Sequence, residues 1–449
     1  MRAIANVGIT KRVSRGDRDF AYWRVGRWVF AGVLLVCFLL ISSSRVLCAA
    51  VAVVSLVNAA FLYRLNVNSA AVAFNAPWAI VLLFSALDVS EFSREVRPET
   101  VGVVALGLVV ATMCLPPNAP WTPTFDKRSM IRRRFTAIFV IFACFTLLNV
   151  LLAGYVPLIQ GLTTGESGYM EFGVKGIYGL YNAFTNAFGL TAFYFWIRDG
   201  DRLYRNAWFA TIIVFLLFFT RQNLVSLAVE CFVTYNLCVK RVSPWRIVVG
   251  VAVGLFLFGL AGDLRIEGEI SELASIKSKY AWLPNAFVWL YSYSYFNILN
   301  LDNVVTSFPI PVLDGGSLIQ LIPSFLRPGD NVVDESMLEV SSFNVTSYAS
   351  PIFRDFGLVG VVFVVALFSL MTRRCLSKAQ QTGSFVATTS YAVLYFCFAL
   401  SFFVNFWFYL PIIFQPVFLW LFGRNLLRHP NCRTKTLTRT LQPSGCQMR

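Results

Sequence analysis

Histidine is nearly missing from this chain, and charge is scarce. A single histidine, His429, occurs in 449 residues, and Lys, Arg, Asp and Glu together make up 14%. A soluble protein carries roughly a quarter charged residues. With its one histidine so near the C-terminus, the rest of the chain has no histidine base and no histidine metal ligand. The ten cysteines form no Cys-x-x-Cys pair and no Cys/His spacing that would hold zinc. They fall in apolar runs or in basic segments, so no disulfide framework is implied. Short alternating segments of the β-barrel kind are missing too. No internal repeat marks the two inverted halves of many carriers. The first apolar run follows a basic stretch, lacks a small-residue cleavage site and leads straight into a second run, so no cleaved signal peptide is expected.

What is present is apolar length. Hydrophobic residues make up 57% of the chain, 43 residues are Phe, and the mean hydropathy is +0.65. The runs approach the roughly 20 residues a helix needs to cross a bilayer. Lipid offers the backbone no hydrogen-bond partner, so such runs must be helical. The expected fold is all-α and polytopic, with about twelve spans at 26–41, 46–63, 70–87, 100–115, 135–153, 177–197, 206–219, 222–239, 246–262, 352–371, 384–402 and 406–423. With the N-terminus inside, 28 of the 38 Lys and Arg fall on the inner side, and 17 of the 23 Asp and Glu on the outer. That is the positive-inside pattern, and it puts both termini in the cytoplasm. The net charge of +15 is then a topology signal facing anionic lipid, not a nucleic-acid footprint.

The chain divides into an inner N-terminal segment 1–25, spans over 26–262, a large outer loop 263–351, spans over 352–423 and a basic tail 424–449. A second, shorter outer loop is 154–176. Within the large loop, 281–300 is aromatic and semi-apolar. Counting it as a span would reverse every later loop and put Arg373 and Arg374 outside. It is expected to be an amphipathic helix at the membrane surface, with Trp and Tyr at headgroup depth.

Two Asp-x-Asp triplets, Asp17-Arg18-Asp19 and Asp199-Gly200-Asp201, read as solvated loop charges, because neither segment has room for a nucleotide-binding fold. Arg221 is different. Thr220-Arg221-Gln222-Asn223 is the only break in the run 206–239, and an Arg at membrane depth faces a cavity or snorkels to headgroups. Glu230 lies nine residues on, inside a span. It is either a paired structural charge or part of a polar interior. Arg265, beside Asp263 and Glu267, leaves the ninth span. Arg327 follows a Pro-containing segment, and Arg354 and Asp355 open the tenth span. Four arginines near one membrane face suit a lipid diphosphate, since guanidinium pairs bidentately with phosphate oxygens. Taken singly, each could instead form an exposed ion pair of small worth.

Asn344-Val345-Thr346-Ser347-Tyr348-Ala349-Ser350-Pro351-Ile352-Phe353-Arg354-Asp355-Phe356-Gly357 runs directly into a span. It resembles the Asn-Val…Phe/Tyr…Pro-x-x-x-Asp-Phe-Gly stretch of bacterial oligosaccharide repeat-unit polymerases, the Wzy-type O-antigen polymerases. Leu321-Ile322-Pro323-Ser324-Phe325-Leu326-Arg327-Pro328 is similar to their Pro-x-x-Leu-x-Pro outer segment. Thr220-Arg221-Gln222 resembles their arginine-bearing break, and the stretch from Tyr291 to Asn297 resembles the aromatic run ahead of the loop. The motifs cover roughly 215–370, and the rest matches by hydropathy.

The resemblance implies a GT-C-like architecture in the bacterial inner membrane and glycosyl transfer on the periplasmic face. A glycan on undecaprenyl diphosphate is the donor, and a single repeat unit on a second undecaprenyl diphosphate is the acceptor. No metal or cofactor is implied. Membrane lipids and a chain-length regulator are the further candidate partners. The residues expected to bind substrate are Arg221, Arg265, Arg327, Arg354, Asn344, Tyr348 and Asn297, and Asp355 or Asp263 would deprotonate the attacking hydroxyl or orient an arginine. O-antigen ligases share the architecture but are associated with a histidine in the large loop, and this loop has none. The main reading from another class is a flippase for lipid-linked oligosaccharide, which would put polar residues through the spans.

Overall fold

A computed structural model describes residues 15–66, 68–116, 124–164, 168–169, 171–174, 177–263, 269–319, 321–323, 326, 337–340, 343 and 345–428. Helices dominate them. α1 (Arg15–Leu40), α2 (Ser44–Leu65), α3 (Ala70–Ser85) and α4 (Pro98–Cys114) form the first group. α5 (Arg132–Ala153) and the short α6 (Pro157–Thr164) lead to α7 (Tyr178–Asp199), α8 (Arg202–Leu217), α9 (Arg221–Cys238) and α10 (Pro244–Asp263). Then come α11 (Ile270–Leu273), α12 (Asn285–Ser307), α13 (Gly316–Ile319), α14 (Ala349–Thr382), α15 (Phe385–Ala399), α16 (Leu410–Ile413) and α17 (Gln415–Asn425).

Four helical stretches are long and apolar enough to cross a membrane: Ala21–Leu40, Ser44–Leu65, Arg132–Thr164 and Ala349–Thr382. Shorter apolar helices accompany them, among them α3, α4 and α15. The side chains left uncovered on these helices are themselves apolar, as at Leu40, Leu151, Val359 and Phe363. A bundle with such flanks suits lipid as solvent, and the chain is an all-α protein of membrane character.

Polar ties gather the helix ends into two groups. At one end, basic segments meet. The Asp126 carboxylate accepts from the Phe385 N–H at 3.0 Å and from Arg128 at 2.7 Å. Arg198 donates to the Arg128 carbonyl at 2.7 Å, and Ser129 and Met130 pair with Arg428 and Leu427 as a two-residue antiparallel ladder. Here the triplet Asp199-Gly200-Asp201 is a helix stop and a helix cap. Asp199 pairs with Arg198, and Asp201 accepts the Leu203 N–H at 2.8 Å as the N-cap of α8.

At the other end lie the long loops. Lys277 pairs with Asp88 at 2.6 Å, and Ser90 bridges to Ile276. α12 lies across this end. Its Phe287 and Tyr291 touch Phe84 in the last turn of α3. Its Asp302 accepts from Thr100 in the first turn of α4 at 2.6 Å, and its Trp289 donates to Asp263 at the end of α10 at 2.8 Å. Contacts with helix ends along its whole length are those of a helix laid over the bundle. Tyr291, Tyr295 and Phe296 are fully buried, covered by the segment around Arg94 and the ring of Phe343.

Candidate functional site

The long-loop end holds the expected site residues that fall among the described ones. α9 and α10 are consecutive in the chain yet pack on different partners: α9 along α7 and α15, α10 along α12. α10 approaches α12 closely because two positions lack a side chain. A Cβ on Gly259 would lie 2.6 Å from the Ala286 Cα, and one on Gly262 would lie 2.4 Å from the Trp289 ring. Beside this divergence Val225 on α9 and Phe256 and Leu260 on α10 are exposed apolar side chains.

Arg221 begins α9 at the long-loop end. Its guanidinium stands 5.9 Å from the centre of the Phe258 ring on α10, so it reaches across the gap between the two helices. Behind it, Tyr293 packs against Phe258 at 5.6 Å, Phe343 at 5.4 Å and Phe403 at 5.1 Å. Asp263 ends α10 at the same end of the bundle. One of its oxygens accepts from Trp289 and the other from Asn285 at 3.0 Å. Each carboxylate oxygen has two lone pairs, so each retains room for a further donor.

Arg354 and Asp355 form a second arrangement. Inside α14 the helix is interrupted at Gly357, with φ 61° and ψ −158°. That region is essentially closed to residues with a Cβ, and a Cβ there would also meet Pro311 at 2.9 Å. The turn before this break carries the pair. Arg354 donates to Asp355 Oδ1 from Nε at 3.0 Å and from Nη2 at 2.9 Å. Asp355 Oδ2 accepts the Ser317 N–H at 2.6 Å, and the carboxylate is fully buried. Asp314 lies 3.6 Å from Arg354. The Gly316 N–H holds the Asp314 carboxyl below the usual carboxylate range, and nearby Arg354 adds to this. Through these bonds Asp355 anchors Arg354.

Two other expected substrate ligands sit inside the packing. Tyr348 is buried among Phe74, Trp78 and Trp407, with ring centres at 5.6, 5.9 and 4.9 Å. Asn297 donates to the Phe403 carbonyl at 2.8 Å and is likewise buried. In this arrangement both are packed into the bundle and neither offers a surface to a saccharide. Aromatic packing explains Tyr348, and support of the 400–409 turn explains Asn297. Arg265, Arg327 and Asn344 lie outside the described residues.

The sequence reading missed the strongest polar knot at this end. Asp302 is buried and accepts from Arg94 at 2.5 Å, from Thr100 at 2.6 Å and from the Arg97 N–H at 2.9 Å. Arg94 also donates to Asn303 at 2.7 Å and pairs with Glu339 at 3.4 Å. Asn300 takes the Glu339 N–H at 2.8 Å and gives its amide to the Val345 carbonyl at 2.9 Å. The knot ties the α3–α4 connection and the α13–α14 connection to α12. One signal was visible: Asp302 is the only charged residue in the 23 of α12.

Compared with protein-family models, curated proteins and solved structures, the chain matches none.

Proposed function

We propose that the chain is a membrane glycosyltransferase that polymerises undecaprenyl-diphosphate-linked oligosaccharide repeat units into O-antigen or a related surface polysaccharide. In this reading it crosses the bacterial inner membrane about twelve times with both termini in the cytoplasm, and the long-loop end faces the periplasm. The motif resemblance carries the choice of family. One observation in the structure supports it: the Arg221 guanidinium reaches from α9 to the Phe258 ring on α10, and both helices carry exposed apolar side chains as flanks. A polyprenyl chain suits the apolar flanks, and the diphosphate suits the arginine.

The chemistry follows from charge. An acceptor hydroxyl attacks the anomeric carbon of the donor glycan, the bond to the diphosphate oxygen breaks, and negative charge gathers on the departing lipid diphosphate. A guanidinium fixed beforehand in a place of low dielectric stabilises that charge without reorganisation. Asp263 is the residue we assign to the hydroxyl proton, because it ends α10, the helix that Arg221 reaches, and among the described residues it has acceptor capacity to spare. Arg354, fixed by Asp355, is the second arginine in this reading. Arg265 and Arg327 complete the cation set by resemblance.

The test is the surface polysaccharide of a host strain lacking the gene. Polymerase loss leaves lipid A–core capped with at most one repeat unit, because ligation continues without polymerisation. Core with no repeat unit at all overturns the reading and points to a flippase.

A further inference from the structure

Half-way along α9 sits a carboxyl that the proposed reaction does not use. Glu230 is completely buried. It lies nine residues past Arg221, or about 14 Å along the helix at 1.5 Å per residue. No described Lys or Arg forms an ion pair with it. The Ser226 hydroxyl donates to Oε1. The titratable groups that face it are the thiols of Cys231 on α9 and Cys397 on α15. α7, α16 and α17 set no titratable group against it among the described residues.

Its other partner is Gln415, also fully buried, at the start of α17. The terminal amide of Gln415 can face either way. With Nε2 toward Glu230, it donates to both carboxyl oxygens at 3.1 Å. The amide oxygen is then turned to the Pro411 carbonyl, and two acceptors meet. With Nε2 toward Pro411, it donates to that carbonyl at 3.3 Å. The amide oxygen then faces the carboxyl oxygens, and this contact closes only if Glu230 carries a proton. The second orientation satisfies both ends of the amide. α7 and α9 bury more polar atoms without a partner among the described residues: both side-chain polar atoms of Asn186, Thr185 Oγ1 and Thr234 Oγ1. A neutral acid fits such an uncharged polar interior, whereas a bare carboxylate would be strongly penalised there.

We infer that Glu230 is a proton-binding site within the bundle, where the protonated carboxyl donates to Gln415 and latches α9 to the break between α16 and α17. Gln415 holds the Pro411 carbonyl at the same time, and α16 packs against α7. Loss of the proton sets a carboxylate against an amide oxygen. The Pro411 carbonyl holds that oxygen in place, so the latch opens. The latch is independent of which reaction the chain performs.

The probe is dicyclohexylcarbodiimide on the full-length protein in membranes. A neutral carboxylic acid adds its O–H across the carbodiimide C=N bond, and the adduct rearranges to a stable N-acylurea that mass spectrometry of the Glu230 peptide detects. Glu230 should be modified at neutral pH, and the modification should fade as pH rises and the acid form is lost. Gln415→Leu removes the acceptor of that proton, so the midpoint should move down by about half to one pH unit. An upward move would show that Gln415 donates to a carboxylate, and it would overturn the inference. So would protection by sodium ions at constant pH, which would make the site a cation site. Glu230→Gln supplies a second measurement free of reagent access. A neutral amide can donate to Gln415 as the acid does, so its melting temperature at pH 7 should match the parent and stay flat at higher pH while the parent falls. A Glu230→Gln protein much less stable at pH 7, with parent stability flat up to pH 9, would equally refute the proton site.

Discussion

Arg94 and Asp302 are joined at 2.5 Å across 208 residues of sequence. Removing the carboxylate by Asp302→Ala strips three donors of their acceptor: Arg94, Thr100 and the Arg97 N–H. Arg94 is about one-third exposed and regains some water, so the expected cost is about 2–3 kcal/mol, at the low end for a broken buried pair. Asp302→Asn keeps an acceptor for Thr100 and Arg97 and should cost less. Melting temperature of the purified protein in detergent checks both, and an Ala variant as stable as the parent removes the knot from the account of the fold.

Asp126 gives the basic end a dependence on acid. Burial alone would push its carboxyl up, but Arg128 and the N–H groups of Phe385 and Arg128 outweigh burial and hold it below its usual value. A carboxyl lowered by folding stabilises the folded state at pH above its unfolded value, about 3.9. That contribution disappears as pH falls through the folded value. Stability should therefore hold from pH 7 to about pH 4 and then decline. Asp126→Asn should be less stable at pH 7 and lose part of the acid step. Equal acid profiles for the two proteins would show that Asp126 is not the group responsible.

Much of this was legible in the sequence, and the illegible part has a physical pattern. Apolar length announced helices over α2, α5 and α14, since backbone in lipid has few options. The Thr220-Arg221-Gln222 break marks a helix junction, with α8 ending at Leu217 and α9 starting at Arg221. α12 was seen as a helix, but its cover was not. Which face of a helix meets water depends on distant segments, here those of Arg94 and Phe343, and periodicity carries no word of them. Asp302 and Arg94 escaped for the same reason: a bond across 208 residues leaves no local trace. Tyr348 and Asn297 were picked out through resemblance, and their burial shows that a motif residue can serve packing.

Reporter fusions check which end faces which side. Fusions after residues 130, 202, 243, 376 and 440 should report cytoplasm, and fusions near 165 and 310 periplasm. The structure ties Asp88 to Lys277 and Arg94 to Asp302, so the loop after α3 and the region around α12 must share one side. A cytoplasmic signal at 310 would invert the bundle and withdraw the periplasmic site.

Arg221 carries the sharpest test of the proposed reaction. If it cradles diphosphate, Arg221→Ala removes a charge-assisted bond worth about 1.5–3 kcal/mol, or roughly ten- to a hundredfold in rate. Lys keeps the charge without the planar fork and should restore only part. Arg265→Ala and Arg327→Ala should behave alike if they share the cradle. The readout is long-chain polysaccharide from plasmid-borne variants at matched membrane levels. Normal chain length in Arg221→Ala removes that residue from the site, and normal length in all three ends the diphosphate cradle.

Gly357 links the backbone to the second arginine. Its φ of 61° and ψ of −158° interrupt α14 just after Arg354 and Asp355. The interruption leaves the Arg354 and Asp355 carbonyls to accept the N–H groups of Val312 and Leu313, both at 3.0 Å. An intact helix would use those carbonyls for itself, so the break is what docks residues 311–317 on the pair. In Gly357→Ala the Cβ has no allowed place at these angles and meets Pro311 at 2.9 Å. The cost is about 1–3 kcal/mol if the break persists. If the helix straightens instead, Val312 and Leu313 lose their acceptors and Ser317 leaves Asp355. In that second case Arg354 loses its fixed position. Gly357→Ala should therefore lower polysaccharide chain length as Arg354→Ala does, and it should speed exchange of the Val312 and Leu313 amides measured by hydrogen–deuterium mass spectrometry. Unchanged exchange together with full-length polysaccharide would separate the break from function.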